Sequence, residues 1–212
     1  MDNQYVQTID EFASPPSSFE LIKKSFGIIA IKKNNITANA LIFILAFLAA
    51  FFVAWNRDTV ILMASLTKHL LEIQLALFAC IFTVFSIIHA FLSDEYMKRL
   101  SRIPGDEKTS SLMQVVSYYE SVLFLFFINI TVSGIFLFIT EIVSPEASLF
   151  SNVFWDNVSA GFGILIYCWF CFRMVYEIKS VVYNTTVLFR QSIAYKFIDF
   201  AVQDIGEDES SD

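Results

Sequence analysis

Four long apolar blocks constrain this chain more than any other feature of its sequence. They are ANALIFILAFLAAFFVAW over Ala38–Trp55, Leu70–Leu92 with the core LALFACIFTVFSIIHAFL, VLFLFFINITVSGIFLFITEIV over Val122–Val143, and a fourth from Val158 to Phe172. The fourth extends to Tyr176 if Arg173 snorkels its guanidinium back to water. Each block is near the ~20 residues an α-helix needs to cross a ~30 Å hydrocarbon layer. The competing reading is a large soluble helical core. Composition argues against it: 56% of the 212 residues are hydrophobic and 17% charged, where a soluble domain has about 45–50% and about 25%. With 24 Phe gathered in such runs, the chain would aggregate in water. The expected fold is an all-α integral membrane protein with spans at about 38–55, 70–92, 122–143 and 158–176.

The basic residues orient these spans. Lys23, Lys24, Lys32 and Lys33 precede the first span, and Lys98, Arg99, Arg102 and Lys108 separate the second from the third. Arg173, Lys179, Arg190 and Lys196 follow the core of the fourth. Only Arg57 and Lys68 stand between spans one and two, and no Lys or Arg stands between three and four. A cytoplasmic N-terminus therefore places 12 of the 14 basic residues inside. Trp55 and Trp155 then fall at the outer interface and Tyr118, Tyr119 and Tyr176 at the inner one, where amphipathic rings are favoured. The expectation is a cell-membrane protein with both termini cytoplasmic. The polar, acidic start MDNQYVQTIDEFASPPSS has no basic segment ahead of an apolar core, so the first span is expected to act as an uncleaved signal anchor.

The segments outside the spans also carry structure. Residues 1–16 read as a polar disordered tail. Ser17 and Glu20 have capping-box spacing after Pro15–Pro16. Residues 17–34 then read as an interfacial amphipathic helix, with Phe19, Ile22, Phe26 and Ile29 on one face beside its lysines; Gly27 weakens it. Pro104–Gly105 is the strong breaker between spans two and three, so both helices should continue into the cytoplasm and turn there. Residues 177–203 form a second amphipathic helix, with Ile178, Val182, Thr185, Phe189, Ile193, Phe197 and Phe200 recurring every three or four residues. Asn184–Thr185–Thr186 is its weakest stretch, and its continuity with the fourth span is open. Its apolar stripe either packs on the chain's own cytoplasmic hairpin or docks a partner or second copy. Residues 204–212 form an acidic tail.

Polar groups inside the spans are the candidate sites. Tyr118, Asn129, Ser133 and Thr140 of the third span fall within ~40° of one line at 100° per residue. Such a stripe either bonds neighbouring helices or lines a water path. His89 lies a turn from the inner end of span two and suits a packed interfacial residue better than a proton relay. Glu72, Gln74 and Glu141 lie at outer span ends, where they can reach water. Ser159 and Gly163 form a small-xxx-small pair that allows close helix approach.

The CWFC pair, Cys168 and Cys171, has redox spacing. Reactive thiols of this type sit at helix N-termini where the thiolate is stabilised. This pair lies deep in a helix and reads as small packing residues, as does mid-span Cys80. No zinc-ligand set, catalytic motif or large basic block for nucleic acid is visible, and no cofactor is expected. The expected function is a non-enzymatic membrane subunit, anchor or effector that assembles with itself or with a foreign subunit. The alternative is a small oligomeric channel lined by the third-span stripe.

Overall fold

The computed structural model describes residues 16–30, 35–91, 111–144 and 150–209, with side chains to residue 88 in the second stretch and to 197 in the last. The helices are α1 (Ser18–Ile28), α2 (Ile36–Ala54), α3 (Thr59–Phe91), α4 (Ser111–Ile142) and α5 (Val153–Glu209). Among the described residues there is no strand. Four of these helices, α2 to α5, are long and apolar enough to cross a membrane. The sequence expectations for residues 1–15 and for the Pro104–Gly105 turn fall outside the described residues.

Two compact units emerge. The larger comprises Phe19–Cys80 and Ser121–Ile178; the smaller comprises Met1–Ser18, Ile81–Glu120 and Lys179–Asp212.

In the larger unit α2 buries its smallest side chains. Asn39, Ile42, Ala46, Ala50 and Ala54 form its inner line at helical spacing, while Phe43, Phe47 and Phe52 are exposed. In water this distribution would be inside out. In hydrocarbon it is the stable one, because large apolar groups gain nothing by leaving lipid and small residues let helix backbones approach. The Ala line packs against Met63 and Leu70 of α3 and Ile164, Cys168 and Cys171 of α5. At Gly161 the backbone comes close to α2: an added Cβ would stand 3.3 Å from the Ala54 Cβ. Ser159 instead donates to the Asp156 carbonyl of its own helix, and a Cβ at Gly163 would meet nothing within 4 Å. Close approach therefore occurs between the two residues that the small-xxx-small spacing picks out.

A four-residue turn joins α2 to α3. Asn56 Oδ1 accepts the Asp58 amide at 3.0 Å, and the Thr59 hydroxyl donates to the Asn56 carbonyl at 2.7 Å. These bonds satisfy groups that the helix ends leave open. Helix α3 thus begins eleven residues before the expected span at Leu70. It buries Met63, Thr67, Leu70, Gln74, Ile81 and Ile88, a three-, four- and seven-residue spacing characteristic of helices packed at small angles. Lys68, His69 and Glu72 lie on its exposed side, and these charges are what shortened the apolar block in the sequence.

Helix α1 ends at Ile28 rather than near residue 34. Its buried position is Ser25, Ile29 just beyond its end is buried too and Phe19 is exposed, so the packed face is rotated from the expected one. Phe26 still makes a contact, stacking on Phe170 of α5 at 6.2 Å and 18°.

In the smaller unit the buried face is built from Leu112, Val116 and Tyr119 of α4 and Val181, Leu188 and Ser192 of α5. Tyr119 and Thr185 share a hydroxyl–hydroxyl bond of 2.7 Å, and the Phe85 ring lies 6.0 Å from Tyr119.

Helix α5 is unbroken over 57 residues. Asn184–Thr185–Thr186 does not interrupt it, because Thr185 and Thr186 return their hydroxyls to the Val181 and Val182 carbonyls at 2.7 and 2.9 Å. At its start Asn152 caps the helix by accepting the Phe154 amide at 2.9 Å. Residue 177 marks no helix boundary, and the helix runs on into the acidic tail.

Candidate functional site

Three helices of the larger unit bring five polar side chains into one bonded chain. The Tyr167 hydroxyl donates to Ser133 Oγ at 2.9 Å, and Ser133 donates to Gln74 Oε1 at 2.9 Å. Gln74 Nε2 donates to Cys171 Sγ at 3.2 Å, and the Cys171 thiol points to Asn129 Oδ1 at 3.5 Å. All five residues are buried, Asn129 and Ser133 completely. Asn129 Nδ2 is left without a partner. Each bond between helices in such surroundings is worth about 0.6–2 kcal/mol, and the chain fixes the rotation of α3, α4 and α5 about their own axes.

This arrangement corrects several expectations. Gln74 does not reach water; it is the hub, because α3 starts earlier than its apolar block and carries Gln74 into the packed interior. Cys171 is a link in the network as well as a packing residue. Cys168 and Cys171 are both free and buried, and both belong to the core cluster with the α2 alanines. The third-span line divides into three environments. Asn129 and Ser133 enter the network, Tyr118 lies in the smaller unit in edge contact with Tyr119, and Thr140 donates to the Leu137 carbonyl of its own helix at 2.8 Å. The side chain of His89 lies outside the described residues.

Sequence reasoning missed Tyr167 and Gln74 as partners of Ser133, and Cys171 as the partner of Asn129. A signal existed: Asn129/Ser133 and Tyr167/Cys171 are each four residues apart, and Thr67/Gln74 seven apart, so each helix carries two polar groups on one side.

Arg173 is also corrected. It does not snorkel. It is 1% exposed, bonds Glu177 at 3.2 Å one turn on, and places its guanidinium 5.3 Å from the centre of the Tyr176 ring. Its Nε has no partner. The carboxylate one turn on in the same helix compensates the buried guanidinium charge in part.

The expected assembly stripe of α5 divides as well. Ile178 is half-buried in the larger unit. In the smaller unit, Val182, Ile193 and Phe197 are 59%, 54% and 68% exposed and Phe189 is 37% exposed. The face packed there is the neighbouring one, through Val181, Leu188 and Ser192. Phe200 lies outside the described side chains.

Among the described residues no three His, Cys, Asp or Glu gather as a metal-binding group would. Comparison with protein-family models, curated proteins and solved structures finds no match.

Proposed function

We propose that this chain is a non-enzymatic multi-pass membrane protein that assembles, with a second copy or a foreign subunit, through the uncovered apolar stripe of α5. It serves as a membrane subunit, anchor or effector. The observation that carries this reading is the exposure of Val182, Phe189, Ile193 and Phe197 on a helix far longer than a bilayer is thick. At 1.5 Å per residue, 57 residues extend roughly 85 Å, against a hydrocarbon layer of ~30 Å. Lys179, Arg190 and Lys196 are also exposed along this part of the helix, which keeps it out of hydrocarbon. A protein surface therefore suits the stripe better than hydrocarbon does.

The basic-residue bias supports cytoplasmic termini. A cysteine introduced at Asp58 or Glu146 should react with an impermeant thiol reagent on intact cells, and one at Asp106 should not. Labelling at Asp106 reverses the orientation.

Phe189→Asp with Phe197→Asp tests assembly. The double variant should insert at the normal level and lose its partners or fall to a smaller species in detergent, since each change puts a charge in the seam. An unchanged size and partner set refutes the proposal. The channel reading is weaker because Asn129 and Ser133, its lining residues, are fully buried and engaged with α3 and α5.

A further inference from the structure

The larger unit contains a second feature, which adjoins the polar network. A cavity of about 510 Å³ lies between α1, α4 and α5, walled by Phe26 and Ile29, Val132 and Phe136, and Gly163 and Trp169. Its volume is in the range that holds one hydrophobic ligand, about 300–1,000 Å³. The only side-chain oxygen in its lining is that of Tyr167, and that hydroxyl is committed to Ser133. The Tyr167 ring packs against Phe136 at 4.8 Å between centres, so the cavity wall and the network share one residue.

Gly163 lines the cavity. A Cβ there would meet nothing within 4 Å, so the absent side chain is part of the space. The α4 and α5 walls come from the middle of the third and fourth spans, at hydrocarbon depth. Water does not fill apolar cavities of this kind, and the molecules present at that depth are acyl chains. Helix α1 closes one side through the Phe26–Phe170 stack. It carries Lys23 and Lys24, both exposed, one turn before Phe26 and Ile29, and Lys23 neighbours Phe26 on the helix surface. An ammonium group on the helix that walls an acyl-chain cavity complements a lipid phosphate.

We infer that this cavity is a binding site for one anionic phospholipid, with an acyl chain between α4 and α5 and the headgroup at Lys23 and Lys24 of α1. The lipid fastens α1, which is only 11 residues long, to the spans. Isolated helices of that length are marginal in water, so the site gives α1 a reason to stay docked.

Trp169 is a built-in reporter. With Trp55→Phe and Trp155→Phe it is the remaining tryptophan of the 3 in the chain. In detergent, phosphatidylglycerol brominated in its acyl chains should quench Trp169 fluorescence at about one lipid per chain. Gly163→Leu fills the cavity from α5 and Val132→Phe fills it from α4. Each should weaken this quenching about tenfold or more while leaving helix content and elution volume unchanged. Lys23→Gln with Lys24→Gln should weaken it for phosphatidylglycerol and bring it to the level seen with brominated phosphatidylcholine. The site is overturned if the wild-type cavity shows no quenching at that ratio, or if both filling variants quench like wild type. The anionic preference is overturned if the two lipids quench alike before the lysines are changed.

Discussion

Helix α2 and the distal part of α5 both expose large apolar side chains, and they do so for different reasons. In α2 the exposed residues include Leu41, Phe47 and Phe52, and the buried line is mostly alanine. Its 19 residues span about 28 Å, the thickness of hydrocarbon, so its outer face matches a bilayer from end to end. In α5 the exposed residues Val182, Ile193 and Phe197 alternate with exposed Lys179, Arg190 and Lys196. A lipid environment that suits the former excludes the latter. Equal exposure thus has opposite meanings, and the companions of the apolar residues decide between them.

The sharpest way to break this comparison is to place one charge on each surface. Phe47→Asp should cost about 3–4 kcal/mol of insertion free energy and sharply lower the amount of protein in the membrane fraction. The same change at Phe189 should leave that amount near normal. Equal losses at the two sites would put the α5 stripe in lipid.

A smaller effect is expected from the inner line of α2. Ala50→Phe forces a ring into a fully packed seam and should destabilise the fold by about 1–3 kcal/mol, read as a lower melting temperature in detergent. Phe47→Ala, on the lipid side, should change it far less. If the two are alike, α2 is not packed through its alanines.

Next in size is the polar network. Gln74→Ala removes the hub and leaves Ser133 and Cys171 with unsatisfied groups, costing about 1–3 kcal/mol. Tyr167→Phe removes one terminal bond and should cost about 0.6 kcal/mol. Reversal of that order in unfolding measurements would mean that Gln74 has an alternative partner. The smallest effect belongs to the acidic end: deletion of Gly206–Asp212 should stay within about 0.5 kcal/mol and leave assembly size unchanged.

Much of the architecture was legible in the residues because hydrophobic block length is a one-dimensional property. Four helices capable of spanning are present where four blocks were read, and α5 is helical through the stretch in which no Gly or Pro occurs from Ile164 to Ile205. Helix ends were less legible. The start of α3 at Thr59 depends on an Asn56–Thr59 turn and on a seam of Met63, Thr67 and Leu70, and charges on the other face hide both from a hydropathy window.

Sequence by itself therefore determined that the chain is helical, that it carries four helices long and apolar enough to span a membrane, and that polar groups recur inside them. Tertiary structure alone decided which of those groups meet. Ser133 finds Gln74 from 59 residues upstream and Tyr167 from 34 downstream, and Asn129 finds Cys171 from 42 downstream, and no local pattern encodes the relative rotation of three helices. The same holds for the uncovered part of α5. Two apolar faces run along its distal half, and their spacing in sequence is nearly identical. Only packing against α4 shows that Val181 and Leu188 are buried while Val182 and Ile193 are left open, because a helix of one chain can turn only one side toward its neighbour.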